Sequence, residues 1–162
     1  KEKANSSEDD ATRKRAVAMS KELRQRKIEV LSSREQRYPA DLKIKLELAE
    51  LLMQLQNWSQ AIPLLQKAGT SPSLKTKALV NLGKCFVYDK KTGLARSQFE
   101  KALPDLNLDT EPDVYKECHY LLARVCEEMK DADSAVTYYG EVIVVDYDYK
   151  DARDRMEKLQ GG

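Results

Sequence analysis

Three sets of positions recur along this chain at the same two intervals. In each set the second member follows the first by 34 residues, as Ala95 follows Ala61, and the third follows the second by 40 residues, as Ala135 follows Ala95. Internal repetition with a period of this length is typical of chains that fold as a row of similar units. It therefore constrains the fold more than the composition does. The three sets are Leu48-Ala49, Leu82-Gly83 and Leu122-Ala123; Ala61, Ala95 and Ala135; and Leu65, Phe99 and Tyr139.

Apolar spacing within each repeat predicts α-helices in pairs. Ala61, Leu64, Leu65 and Ala68 follow one another at i, i+3, i+4 and i+7, which places them on one face of a helix. Gly69 then supplies a stop signal for that helix. The predicted helices of the repeats and of the segment after them cover residues 42–55, 58–68, 74–88, 94–103, 114–129, 134–144 and 150–159.

The chain divides into a tail, a basic helix and a helical domain. Residues 1–10 are polar and lack apolar periodicity, so we predict a flexible tail. Residues 11–38 form a predicted basic helix, which Pro39 ends because the residue before a proline is pushed out of the α region. A polar loop over residues 105–113 holds the six extra residues of the longer interval and lengthens a connection without changing the packing. The predicted domain spans residues 39–162, with hairpins over 41–69, 73–104 and 113–145 and a capping helix over 149–160.

Small residues mark the places where the two helices of each predicted hairpin approach most closely. Only Gly or Ala fits between two backbones at such a contact, and large apolar side chains fill the space beside it. One hairpin cannot bury its apolar face alone, so the hairpins must stack on one another. The small positions of the first helices are Ala49, Gly83 and Ala123, and those of the second helices are Ala61, Ala95 and Ala135.

The hairpin sequences resemble the tetratricopeptide repeat (TPR). The matching stretches are LELAELL with WSQAIPLLQKA, LVNLGKCF with TGLARSQFEKA, and YLLARVC with DSAVTYYGEV, over about residues 40–147. Ala49 and Ala123 stand where the family usually has Gly, Val142 where it has Ala, and Tyr147 where it often has Pro. The resemblance implies an all-α superhelical stack, an α-solenoid of about three repeats with an extra N-terminal helix and a C-terminal capping helix. It also implies a protein–protein interaction scaffold.

The first helices of TPR hairpins line a concave surface, so the resemblance implies a peptide- or protein-binding face there. Tyr88 and Tyr120 are the expected aromatic anchors. One TPR subgroup clamps a C-terminal carboxylate with a Lys/Asn/Arg set, and only Asn81 matches that set, which argues against such a ligand. The alternative is a groove that is empty or filled by the chain's own N-terminal helix. The expected binding residues are Lys43, Glu47, Glu50, Lys77, Asn81, Lys84, Tyr88, Tyr120, Arg124 and Glu128, with Leu46, Val80, Glu117 and Leu121 beside them.

No set of residues with a catalytic or metal-binding pattern is present in the sequence. His119 is the single histidine and is expected to be a packing residue on a helix. Cys118, His119 and Cys126 would not converge on a metal, because residues i and i+1 point about 100° apart and i to i+8 spans about 12 Å. Gly83 and Gly93 form no glycine-rich phosphate loop. We therefore expect no enzyme activity, no metal, no cofactor and no small-molecule substrate.

Cysteine usage and hydropathy bear on the compartment. Cys85, Cys118 and Cys126 are odd in number and form no CxxC motif, which argues against a disulfide framework and favours a reducing compartment. No apolar run approaches the roughly 18 residues that a membrane-spanning helix needs, and no signal-peptide pattern is visible. We expect a cytoplasmic protein, either as it stands or as a soluble piece of a larger one.

Basic residues are concentrated near the N-terminus, although the formal net charge of the chain is only +1. The segment Arg13–Lys27 holds seven Lys or Arg and one Glu. Such a segment could contact nucleic acid or an anionic surface, but a solvated helix face is the simpler interpretation and a nucleic-acid partner is not favoured. An apolar stripe on the same helix would also suit helix–helix association, so a homodimer is a further alternative. The stripe consists of Val17, Leu23, Ile28 and Leu31.

Overall fold

The computed structural model of the chain describes the backbone of residues 2–161 and the side chains of residues 7–161. That part of the chain forms α-helices, one short 3-10 helix over Leu103–Asp105, and no strand. The predicted all-α class is therefore confirmed. The helices are α1 Glu2–Arg37, α2 Leu42–Gln54, α3 Trp58–Ala68, α4 Lys75–Tyr88, α5 Thr92–Ala102, α6 Pro112–Glu128, α7 Ala132–Val145 and α8 Ala152–Gly161.

The helices pack in antiparallel pairs that stack in chain order. α2 pairs with α3, α4 with α5, and α6 with α7. Each second helix also packs on the first helix of the next pair, so that α3 lies against α4, α5 against α6, and α7 against α8. α1 packs on α2 at the other end. The predicted stack of three hairpins, with one helix before and one after, is confirmed.

The first helix differs from the sequence prediction at its start. Residues 2–10, which we predicted as part of a flexible tail, continue α1, and Lys1 lies outside the described residues. This segment contains neither Gly nor Pro to stop a helix. An ion pair one turn apart, from Lys14 Nζ to Asp10 at 2.8 Å, supports the helix where it has no tertiary partner. None of the helices within residues 2–161 is long and apolar enough to cross a membrane.

The three hairpin turns share one backbone conformation. Gln56, Lys90 and Lys130 all have positive φ, at 59°, 58° and 63°, and they keep the spacing of the repeat. In each turn the next residue donates its backbone N–H to a carbonyl five residues earlier, as Asn57 does to Leu52 at 2.8 Å. This is the Schellman arrangement, which usually has Gly at the left-handed position. Sequence patterns missed it because Gln and Lys occupy that position here.

The predicted close contact between paired helices is visible at Gly83. A Cβ atom on Gly83 would lie 2.4 to 2.7 Å from three ring carbons of Phe99, which is buried in the facing helix α5. The phenyl ring therefore occupies the space that a side chain at position 83 would need. All three members of each small-residue set are buried, and so are the large residues of the third set, Leu65, Phe99 and Tyr139.

Polar side chains attach the capping helix α8 to the last hairpin. Asp151 accepts hydrogen bonds from the Tyr120 hydroxyl at 2.5 Å and from Arg155 Nε at 2.7 Å. Glu127 accepts from the Tyr139 hydroxyl at 2.6 Å and from Arg155 at 3.2 Å. The hydrogen bond from Tyr120, followed by the contact with Arg155, holds the pKa of Asp151 below its usual value.

We predict that Gly83→Ala lowers the free energy of unfolding by about 1 kcal/mol. Overpacking of a core costs about 1–3 kcal/mol, and the gain in helix propensity returns at most about 1 kcal/mol. Urea denaturation measures the change. Phe99→Leu in the same chain should recover part of the loss, because the first hairpin has Ala49 and Leu65 at the two matching positions.

Gly140→Ala is the matched control for that substitution. Gly140 also lies inside a helix, but a Cβ there would meet nothing within 4 Å. The change should therefore raise the free energy of unfolding by roughly 0.5–1 kcal/mol through helix propensity alone. Equal effects of the two substitutions would contradict the close packing assigned to Gly83.

We predict that Asp151 makes the stability of the fold sensitive to acid. Its folded-state pKa is depressed, so its contribution is complete above the unfolded value of about 3.9 and is lost as the pH falls through the folded pKa. The stability difference between wild type and Asp151→Asn should therefore shrink between about pH 5 and about pH 3. Urea denaturation at both pH values tests this, with Glu157→Gln, at an exposed position of α8, as control. A difference that stays constant would contradict the assignment.

Candidate protein-binding surface

The expected binding residues lie on α2, α4 and α6, and we call the surface formed by these three helices the first-helix surface. α2 packs beside α4, and α4 beside α6. Glu50 of α2 accepts hydrogen bonds from Lys77 Nζ and from Asn81 Nδ2 of α4, both at 3.2 Å. Asn81 is buried. Glu50, Lys77 and Asn81, all predicted to contact a ligand, therefore also connect the first hairpin to the second.

The next step along the first-helix surface repeats this arrangement. Lys84 Nζ of α4 lies 2.9 Å from a carboxylate oxygen of Glu117 on α6. The side chain of Lys84 is 23% exposed and that of Glu117 is 36% exposed, so the pair is partly buried and still accessible to solvent. Four of the charges predicted for the binding face are thus arranged as two pairs between neighbouring repeats. A ligand at these two places would meet a pair of opposite charges.

Tyr120 does not stand free as the sequence analysis expected. Its side chain is only 6% exposed, and its ring packs edge-on against Tyr139 and Tyr149. Its hydroxyl donates to Asp151 and accepts a hydrogen bond from Arg124 at 3.3 Å. The expectation of an aromatic anchor at Tyr120 is therefore wrong, because Tyr139 and the turn before α8 cover the ring.

Tyr88 is the tyrosine of the expected binding set that is open to solvent. It is 61% exposed and stacks in parallel on the half-buried Trp58, with ring centroids 4.4 Å apart and planes 8° apart. Sequence reasoning did not pair these two residues. Trp58 begins α3 and Tyr88 ends α4, and only the stacking of one hairpin on the next brings the two helix ends together. The pair forms a flat aromatic surface of the kind that anchors protein ligands.

The other residues of the expected site differ in how accessible they are. Leu46 and Val80 are buried and belong to the core of the stack. Leu121 and Arg124 are half-buried. Charged residues at both ends of the first-helix surface are open to solvent, so they remain available to a ligand. The exposed ones are Lys43, Glu47, Lys77 and Glu128.

The single histidine and the three cysteines of the chain lie inside the stack. His119 is 6% exposed, and its Nδ1 lies 2.8 Å from the carbonyl oxygen of Tyr115. The three cysteines are buried thiols without disulfides. Burial raises the pKa of Cys85 and Cys126 to about 11 and that of Cys118 to about 12, so all three stay protonated at neutral pH. In the described part of the chain no group of three or more His, Cys, Asp or Glu side chains could hold a metal.

Comparison with solved structures identifies the fold, although neither a family model nor a curated protein matches the sequence. A crystal structure of MamA superposes with a TM-score of 0.73 at 21% identity, over 83% of this chain and 75% of that one. YrrB, a TPR protein with an unusual peptide-binding site, gives 0.69 at 19% identity, over 82% of this chain and 65% of its own.

A third structure contains a bound peptide. The first TPR domain of Spaghetti (RPAP3), bound to an HSP90 peptide, gives a TM-score of 0.64 at 14% identity, over 75% of this chain and 92% of that domain. At sequence identities this low, the similarity establishes the fold, and the ligand of each of these proteins is not transferred to this chain. Together with the confirmed hairpin stack, these likenesses establish that this chain has the TPR fold, as the sequence resemblance predicted.

Proposed function

We propose that the chain is a protein-interaction scaffold whose first-helix surface binds a peptide or an extended protein segment. The observation that carries the proposal is the exposed Tyr88–Trp58 pair, a large aromatic area left open beside the charged first helices. Buried aromatic anchors dominate the binding free energy of most protein interfaces. Peptide binding by TPR proteins of similar fold supports the same assignment.

The charged residues would supply orientation and selectivity in this function. Lys77 and Glu50 present a partly exposed pair on one side, and Lys84 and Glu117 present a second. A segment with alternating charge would align with such pairs and exchange one partner for another at little cost. A purely acidic or purely basic segment would face a like charge at every step. The ligand we propose therefore carries both signs of charge around an apolar or aromatic residue.

We also propose that the chain acts by binding alone, as a scaffold without a chemical step of its own. Its single histidine and its three thiols are buried within the packed hairpins, where a substrate would not reach them. Unpaired thiols also suit the reducing environment of the cytoplasm, which we propose as its location.

Self-association through the N-terminal helix is a second proposed function. One observation favours it: apolar side chains on α1 that other elements leave uncovered. Val17, Met19, Leu23 and Val30 are between 58% and 65% exposed. Covering these side chains with a second helix is favourable, because it removes apolar surface from water.

We predict that Tyr88→Ala weakens ligand binding at least about tenfold, because truncation of an aromatic anchor at an interface costs about 2 kcal/mol or more. The probes are peptides selected by the wild-type protein from a random phage-displayed library, with dissociation constants measured by fluorescence anisotropy. Tyr147→Ala is the matched control, since Tyr147 is equally exposed, at 60%, but follows α7 at the far end of the stack.

Circular dichroism should show unchanged helix content in both variants, since each ring is mostly exposed. Selected peptides that bind wild type and Tyr88→Ala equally well would overturn the assignment of the binding surface. Loss of binding in Tyr147→Ala with retention in Tyr88→Ala would move the site to the C-terminal end.

A further inference from the structure

Within residues 2–161, α1 occupies the position of a second helix, and none of the helices described there pairs with it as a first helix. α3, α5 and α7 each pack against the first helix before them and against the helix that follows. α1 packs on the helix that follows it, α2, through the buried Ile28 and an ion pair from Glu35 to the buried Lys45. The side of α1 that would face a preceding first helix is open. The C-terminal end of the stack is different, since α8 covers it.

A groove of about 560 Å³ lies between α1 and α2 on the side where a first helix would pack against a second. Its apolar residues are Leu23, Val30 and Leu31 of α1 and Leu51 of α2. Leu23 and Val30 are 58% and 60% exposed, so the groove has a large unsatisfied apolar area. Basic side chains rim it on α1 and acidic side chains on α2, where it runs into the first-helix surface. The rim residues are Arg26 and Lys27 on one side and Glu47 and Glu50 on the other.

The apolar stripe continues along α1 beyond the groove. Ala16, Met19, Leu23, Arg26 and Val30 are separated by alternating steps of three and four residues, which is the spacing of a coiled-coil seam. Ala16 and Arg26 are exposed, and Met19 is 64% exposed. The seam is therefore one continuous face of α1. α2 packs on a neighbouring face of the same helix and leaves the seam uncovered.

We propose that this groove takes α1 of a second copy, antiparallel to the first, in a two-fold symmetric dimer. The inference deepens the self-association proposed above by naming the surface and the register, and it is independent of peptide binding at Tyr88. A symmetric pair requires a seam that complements itself when reversed. The part of the stripe from Met19 to Val30 does so about a point between Arg24 and Gln25.

In that register the apolar and charged positions of α1 match those of the second copy. Met19 lies opposite the partner's Val30, and Leu23 opposite the partner's Arg26, whose methylene stem can cover it. The guanidinium of Arg26, which already bonds Glu22 of its own helix at 2.8 Å, then reaches the partner's Glu22 as well. Lys27 faces the side of Glu47 and Glu50, so the basic edge of the incoming helix meets the acidic rim of the groove.

Light scattering after size exclusion, from low to high micromolar concentration, tests the association. The wild-type chain should be dimeric at high concentration, and Leu23→Lys should raise the dissociation constant of the dimer at least about tenfold, because it places a second cation opposite the partner's Arg26. Val144→Lys is the matched control: an aliphatic residue that is 87% exposed but lies on α7 and not on α1.

Cross-linking tests the register. Met19→Cys and Val30→Cys chains, when mixed, should form a disulfide between copies, whereas each variant alone should not, because residue 19 of one copy lies about 16 Å along the axis from residue 19 of the other. The native thiols are buried and should not compete.

The outcomes separate the two levels of the proposal. A wild-type chain that stays monomeric at every concentration would overturn self-association altogether. A dimer that withstands Leu23→Lys would leave self-association standing and overturn the groove as its site. A disulfide in Met19→Cys alone would establish a parallel pair and overturn the antiparallel register.

Discussion

The close approach of the two helices within each hairpin is the contact on which the rest of this fold depends. At Gly83 the approach is so tight that the ring of Phe99 fills the place of a side chain. Such a contact fixes how the two helices cross and thus which faces are left to the neighbouring hairpins. It is made inside one hairpin, so the longer connection before α6 extends the loop and leaves the packing of the third hairpin unchanged.

The two ends of the stack are finished differently. At the C-terminal end, Asp151 and Arg155 make hydrogen bonds to the last hairpin. Their partners are Tyr120 and Glu127, and Glu127 also accepts a hydrogen bond from Tyr139. At the N-terminal end α1 covers α2 but keeps an uncovered seam of its own. Helical arrays need polar caps at both ends to stay soluble as single chains. The self-association proposed for α1 rests on this difference between the two ends of the described stack.

Repeat spacing was enough to predict the hairpins because it reports contacts made within one repeat. Ala61, Ala95 and Ala135 could be recognised as close contacts from the sequence alone. Contacts between repeats were not predictable in the same way. Tyr120 has the same position in its helix as Val80, and the sequence does not show that Asp151 would take its hydroxyl.

Other features were missed for related physical reasons. Trp58 and Tyr88 meet only because two helix ends from different hairpins come together, which no spacing within one helix reveals. The left-handed residues Gln56, Lys90 and Lys130 carry no glycine signature, so their shared turn is visible only in the backbone. Residues 2–10 have the polar composition of a solvated segment. They are nevertheless helical, because α1 continues through them and neither Gly nor Pro interrupts it.

The difference between the two ends of the stack can be tested directly by hydrogen–deuterium exchange measured at several protein concentrations. We expect the backbone amides of α8 to keep the same protection throughout, because that end is already covered. Amides of residues 19–31 should gain protection as the concentration rises, because a second helix then covers the seam. Protection of residues 19–31 that does not change with concentration, or a gain confined to α8, would contradict this account.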